Sequence, residues 1–360
     1  MKTGGFSILR PGAFRLFLAT TVLVSHSCRF DPGDWAVYSF FILSGFWISR
    51  MWKDKYSRTD APGRVFIASR LLHLLPVFLL ANLITALVAV HTDPVFLNPS
   101  AEKWGVLPAI ASNLLILGYS SLPHSQGALH VAWSLDVELQ FYAVLPLASL
   151  LLASDRMRIF WTVFLGAVCC IGLSIFIMDA APGPRNLGCC GIYFLAGVLA
   201  ERRRWRPSRA TVSFVGATAI AFVAVCWLVP GWEYLFENLK HGSTAVDFHH
   251  RQIAQALLAL YTAPVAIESV HRASDTRDRA LGEFTYVMYL MHWPVILVHS
   301  YYFALRPPLS RLPSLAGAWL VIAALSWAVY QFYDQPIERA RKRWVASRMA
   351  TQPLPVPAGG

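Results

Sequence analysis

Charged residues are scarce in this chain. Only 14% of its 360 residues are Asp, Glu, Lys or Arg, and 56% are hydrophobic, whereas a soluble domain carries about 25% charged residues. That deficit excludes an ordinary soluble domain, and a mean hydropathy of +0.48 agrees. Acidic residues are fewer still, 20 against 31 basic ones. The basic excess sits in short clusters between apolar runs, as membrane topology requires, so it is not read as a nucleic-acid surface. The chain also lacks C-x-x-C. Its six cysteines (Cys28, Cys169, Cys170, Cys189, Cys190 and Cys226) lie mostly in apolar runs. This excludes a disulfide framework or zinc spacing and leaves small buried apolar residues. Long polar linkers and internal repeats are missing too. The N-terminal run Leu16 to Val24 has no small-residue cleavage site, so it reads as a retained first helix.

What is present is a succession of apolar runs near the length of roughly 20 residues that a membrane span needs. The expected spans lie near 14–33, 35–52, 66–90, 131–153, 158–178, 187–200, 210–230, 251–270, 281–303 and 313–333. A further apolar stretch, 104–118, is expected to be re-entrant or to lie on the outer surface. The segments 1–13, 53–65, 154–158, 201–209, 271–279 and 334–360 hold 21 Lys and Arg residues, against 6 in the opposite loops. The positive-inside rule therefore puts both termini in the cytoplasm. Trp35, Trp52, Trp104, Trp133, Trp205 and Trp232 fall near span ends, where interface anchors belong. The expected fold is all-α: a polytopic integral membrane protein with about ten spans, one domain over 1–345, and a disordered cytoplasmic tail over 346–360.

Ionisable groups inside spans are costly and so are candidates for function. They are Arg15, His26, Arg70, His73, Asp136, Glu138 and His292. Arg15 and His26 are eleven residues apart on one helix. At about 100° and 1.5 Å per residue they share a face and lie about 16 Å apart along the axis. The bland reading is that Arg15 snorkels to the interface and His26 bonds a backbone carbonyl. Glu138 lies about 10 Å into its span, at a depth comparable to His26, where a carboxylate can fix an imidazole tautomer or merely satisfy polar groups between helices. Arg70 and His73 share a face and, with Arg15 and Arg50, form either a basic vestibule for phosphate groups or plain topology charge. Thr285, Tyr286, Tyr289 and His292 make a polar stripe ahead of Trp293-Pro294, where a kink is expected. His241, Asp247, His249 and His250 crowd one outer loop, but their spacing fits no known metal pattern.

Four motifs, in order along the chain, resemble the membrane-bound acyltransferase family 3, the polysaccharide O-acyltransferase type. They are the Arg15-x10-His26 pair, FFILSGFW with Ser44 and Gly45, WSLDVELQFYAVLP with Trp133, Ser134, Glu138, Gln140, Tyr142 and Pro146, and TYVMYLMHWP with Tyr286, Tyr289, His292 and Pro294. The likeness runs from about Arg15 to Trp344. Two positions depart from the pattern: Arg70-x-x-His73 stands for R-x-x-R, and Asp136 for a small residue.

The resemblance implies transfer of an acyl group, usually acetyl, from cytoplasmic acyl-coenzyme A to a hydroxyl of an extracytoplasmic carbohydrate such as an exopolysaccharide or lipopolysaccharide. It also implies a bacterial inner membrane. The expected roles are His26 and Glu138 catalytic; Arg15, Arg70, His73 and Ser44 donor-binding; Trp133, Ser134, Tyr142, Tyr289 and His292 in the substrate pocket. No permanently bound cofactor, no metal and no nucleic-acid partner is expected. Two other readings fit parts of the pattern: a transporter or flippase that uses the buried charges for proton coupling, and a succinyl or longer-chain transferase acting on a periplasmic glucan.

Overall fold

The structure, a computed structural model, describes residues 9–92, 106–121, 127–151, 186–238, 245–303 and 308–349. Among these, every regular element is a helix. The longer ones are α1 (Pro11–Ser27), α2 (Gly33–Asp54), α3 (Pro62–Thr92), α4 (Val106–Leu115), α5 (Trp133–Leu151), α6 (Leu187–Arg202), α7 (Arg209–Leu228), α8 (Ala245–Tyr261), α9 (Ala263–His271), α10 (Thr276–Phe303), α11 (Leu312–Val329) and α12 (Gln335–Ser347). A π-helical turn, Tyr330–Asp334, joins the last two.

Among the described residues, four helices are long and apolar enough to cross a bilayer: α3, α7, α10 and the continuous stretch Leu312–Ser347. A fifth is gained if α8 and α9, bent by 42°, are one span. Their outward faces stay apolar. Ile220, Leu228 and Leu320 are each more than 70% exposed, which is costly in water and natural against lipid. The expected span 158–178 lies outside the described residues. So do His241 and the chain end 350–360, but α12 continues to Ser347 and Met349 pairs with Thr59. α10 continues through Pro294 as one helix.

The stretch 104–118 contributes α4, whose ten residues reach about 15 Å, half the hydrocarbon thickness. Asn82 on α3 holds it by donating to the Asn113 carbonyl at 2.9 Å. The turn that follows explains Asp136. This fully buried carboxylate accepts from the backbone N–H of Gly118 (3.1 Å) and Ser120 (2.9 Å) and from the Ser120 hydroxyl (2.6 Å). Unpaired donors buried at a turn are expensive, and Asp136 satisfies them on entry to α5.

Two contacts place the helices that carry the motifs. α2 crosses α6 at Gly45 and Gly197, where a Cβ on either residue would overlap backbone of the other helix. Small residues are what let membrane helices approach this closely, and the crossing points the adjacent Ser44 inward. α1 starts against α10. Asp278 accepts from the N–H groups of Gly12 (3.1 Å) and Ala13 (2.9 Å), Gly12 abuts the Asp278 carbonyl, and Arg10 pairs with Asp275 at 2.7 Å. A carboxylate at a helix N-terminus satisfies orphan donors and complements the dipole.

Candidate active site

Between α1, α2, α3, α5, α10 and α12 lies a cavity of about 370 Å³. Arg15, Arg70, Arg341 and Lys342 line it with Ser44, His73, Ser134, Glu138, Tyr142, Glu283, Tyr286, Tyr289 and Glu338. It reaches solvent beside Lys342 and Glu283, whose side chains are 51% and 37% exposed and 2.7 Å apart. The arginines are held by a shared network. Buried Arg70 donates to the Tyr56 hydroxyl at 2.8 Å, which is itself 2.8 Å from Ser69 Oγ. Arg341 donates to Ser69 at 2.6 Å and grips Glu338 with two nitrogens. His73 Nδ1 is 3.4 Å from Glu338, and its ring lies 5.4 Å from that of Tyr286. The Arg15 guanidinium sits 6.0 Å over the Trp47 ring.

Deeper in, Glu138 accepts from Ser44 Oγ at 2.8 Å and from the Tyr142 hydroxyl. The expectation that Glu138 stands beside His26 and orients it therefore does not match the geometry. Glu138 belongs to the cation-lined cavity and His26 to another. The two residues line different cavities, divided by a wall.

That wall contains Val37 and Tyr289, which line both this cavity and a second one of about 190 Å³. Tyr289 is fixed there by Ser134 Oγ at 2.8 Å and by donation to the Val131 carbonyl at 3.0 Å. The second cavity is lined by His26 with Asp31, Asp34, His130, Trp133, Arg251 and Trp293. It sits at the opposite end of the bundle, where α1 ends and α2 and α5 begin. The His26 ring stacks on His292 (centroids 5.4 Å, planes 18°) and meets Trp293 edge-on at 5.1 Å. His292 is itself buried. Its Nδ1 lies 3.3 Å from the Met288 carbonyl, a donor's position, which leaves Nε2 as an acceptor without a partner among the described residues. The stack pairs a buried His292 with a half-buried His26. A third cavity, about 470 Å³, meets His26 from the side of Arg29, His299 and Arg311.

The structure thus gathers Arg15, Ser44, Arg70, His73, Ser134, Glu138, Tyr142 and Tyr289 around one cavity and His26, Trp133 and Tyr289 around the next, with His292 behind His26. Residues not foreseen join them. Glu338, Arg341 and Lys342 come from a segment read as cytoplasmic topology charge. Asp31, Asp34 and Arg251 line the smaller cavity, and none of them is among the intramembrane candidates read from the sequence. Asp31 pairs with Arg251 at 2.7 Å. Among the described residues no group of three or more His, Cys, Asp or Glu is placed to hold a metal ion.

The chain is 24% identical over 381 residues to nodulation protein 10 of Rhizobium leguminosarum bv. viciae, covering 93% of this chain and 95% of that one. No solved structure matches it. The sequence profile of acyltransferase family 3, described as an acyltransferase domain, matches residues 9–331, a region that contains every residue of the four motifs. The chain therefore belongs to the acyltransferase-3 family and is a membrane acyltransferase.

Proposed function

We propose that the protein is a transmembrane O-acyltransferase that takes acetyl from acetyl-coenzyme A on the cytoplasmic side and delivers it to a hydroxyl of an extracytoplasmic carbohydrate such as an exopolysaccharide or lipopolysaccharide. The observation that carries this reading is the pair of back-to-back cavities, cation-lined at one end and built around His26 at the other, divided by Tyr289 and Val37. With both termini cytoplasmic and about ten spans, the cation-lined mouth opens to the cytoplasm of a bacterial inner membrane.

The donor's phosphates stay at the mouth with Arg341, Lys342 and Arg15, since guanidinium groups bind phosphate oxygens in pairs. The pantetheine arm occupies the cavity and brings the thioester up to the wall. His26, acting as general base, removes the proton of the attacking hydroxyl. The hydroxyl oxygen bonds to the acetyl carbon, the C–S bond breaks, and the proton held by His26 balances the departing thiolate. A relay through an acetyl-imidazole on His26 uses the same groups in two steps. Glu138, held by Ser44 and Tyr142, places a negative charge beside Arg15 and orients the donor side rather than the base.

The test is transfer of label from [14C]acetyl-coenzyme A to membrane glycans. His26→Ala is expected to lower the rate by about 10²–10⁴-fold, the range for loss of a general base, at equal expression. Equal label in both proteins removes His26 from the mechanism. No label from the wild type sinks the acetyl-transfer reading and favours a transporter.

A further inference from the structure

The smaller cavity beside His26 has a composition that the donor does not call for. Its volume, about 190 Å³, equals a handful of waters at about 30 Å³ each and suits a single pyranose ring. Trp133, Tyr289 and Trp293 supply aromatic walls. The electron-rich face of such a ring attracts the weakly positive C–H face of a sugar.

The carboxylates in this cavity differ from one another. Asp31 is already engaged: it accepts from Arg251 at 2.7 Å and from the Gly33 N–H at 3.1 Å. Asp34 is not. It lines the cavity yet makes no hydrogen bond or ion pair among the described residues. An ionised carboxylate only accepts hydrogen bonds and has room for several, and neighbouring hydroxyls of a sugar are donors at a matching spacing. Two carboxylates, Asp31 and Asp34, face one guanidinium, Arg251, in this lining, a balance that disfavours an acidic sugar.

We infer that this cavity is the acceptor subsite, that it takes a neutral pyranose, and that Asp34 accepts hydrogen bonds from its hydroxyls and so presents an adjacent hydroxyl to His26. The inference rests on the acyltransferase reading above and narrows its substrate class. Asp34 also lies in the first turn of α2, where a carboxylate stabilises a helix N-terminus. That structural role predicts lower stability but no change in acceptor affinity.

The experiment uses membranes carrying wild type, Asp34→Ala or Asp34→Asn. They are supplied with [14C]acetyl-coenzyme A and increasing amounts of the producing cell's own membrane glycan, and tandem mass spectrometry locates the acetyl group. The expected result is acetyl on a neutral sugar residue. The half-saturating glycan concentration should rise about tenfold or more in Asp34→Ala, as for loss of a charge-assisted hydrogen bond, and rise less in Asp34→Asn, which keeps size and an acceptor oxygen. The KM for acetyl-coenzyme A should stay within about twofold, because the donor sits across the wall. Acetyl on a uronic or other acidic residue, or half-saturation unchanged in both variants, overturns the subsite while leaving the acyltransferase reading intact. A wild type that transfers nothing removes that reading, and the subsite falls with it.

Discussion

The two cavities that meet at Tyr289 are built in different ways. In the larger one, charged side chains hold one another. Arg341 is fixed by Glu338 and Ser69 and Arg70 by Tyr56, a network that joins α3 and the turn before it to α12, far away in sequence. In the smaller one the pair of Asp31 with Arg251 stands among aromatic rings and stacked imidazoles. Buried cations kept in place by a satisfied network suit a large anionic ligand whose charge must be met without reorganisation. Aromatic walls with one unengaged carboxylate suit a small polyhydroxylated ligand. The contrast matches a reaction in which one substrate carries phosphates and the other carries hydroxyls.

The harshest way to break the contrast is to disturb α2, which lines both cavities. Gly197→Leu would drive a side chain into the Ile42 carbonyl and Phe46 amide. Overpacking of this kind costs about 1–3 kcal/mol or more, so the melting temperature in detergent should fall by many degrees and donor and acceptor kinetics should degrade together. A selective loss comes next. Arg70→Ala removes a buried guanidinium from the larger cavity alone, and the KM for acetyl-coenzyme A should rise about tenfold to a hundredfold with the acceptor half-saturation little changed. Equal damage to both constants would mean that the two cavities act as one.

Much of the site was legible because its residues break the rule that spans are apolar. Arg15, His26, Arg70, Glu138 and His292 announced themselves as charges or imidazoles in hydrophobic runs. Their sorting into two cavities was not legible. Depth along a helix follows from counting residues, but which side of Tyr289 a side chain faces depends on how α5 and α10 rotate against α1 and α2. Asp136 looked like one more intramembrane charge, and only the folded turn at Gly118 and Ser120 reveals its partners. Arg341 was hidden because a basic helix after the last span is what topology alone would produce. The Glu338–Arg341 spacing of three, which pairs the two on one face, was the available signal. Where the family pattern has a second arginine, this chain has His73, and Arg341 now brings a guanidinium to the same network from another helix.

One consequence of the clamp between α1 and α10 concerns phase. The helix that carries Arg15 and His26 is pinned at its start by Asp278 and Asp275 and braced near its end by the ring of His292. It therefore works as a gauge block whose two marks are fixed in angle as well as in distance. One residue inserted between Thr20 and Thr21 would lengthen the gauge by only about 1.5 Å, but it would swing His26 by about 100°, off His292 and away from both cavities that it touches. A further two or three insertions would complete a turn and return the imidazole to its original face, about 5–6 Å further along the axis.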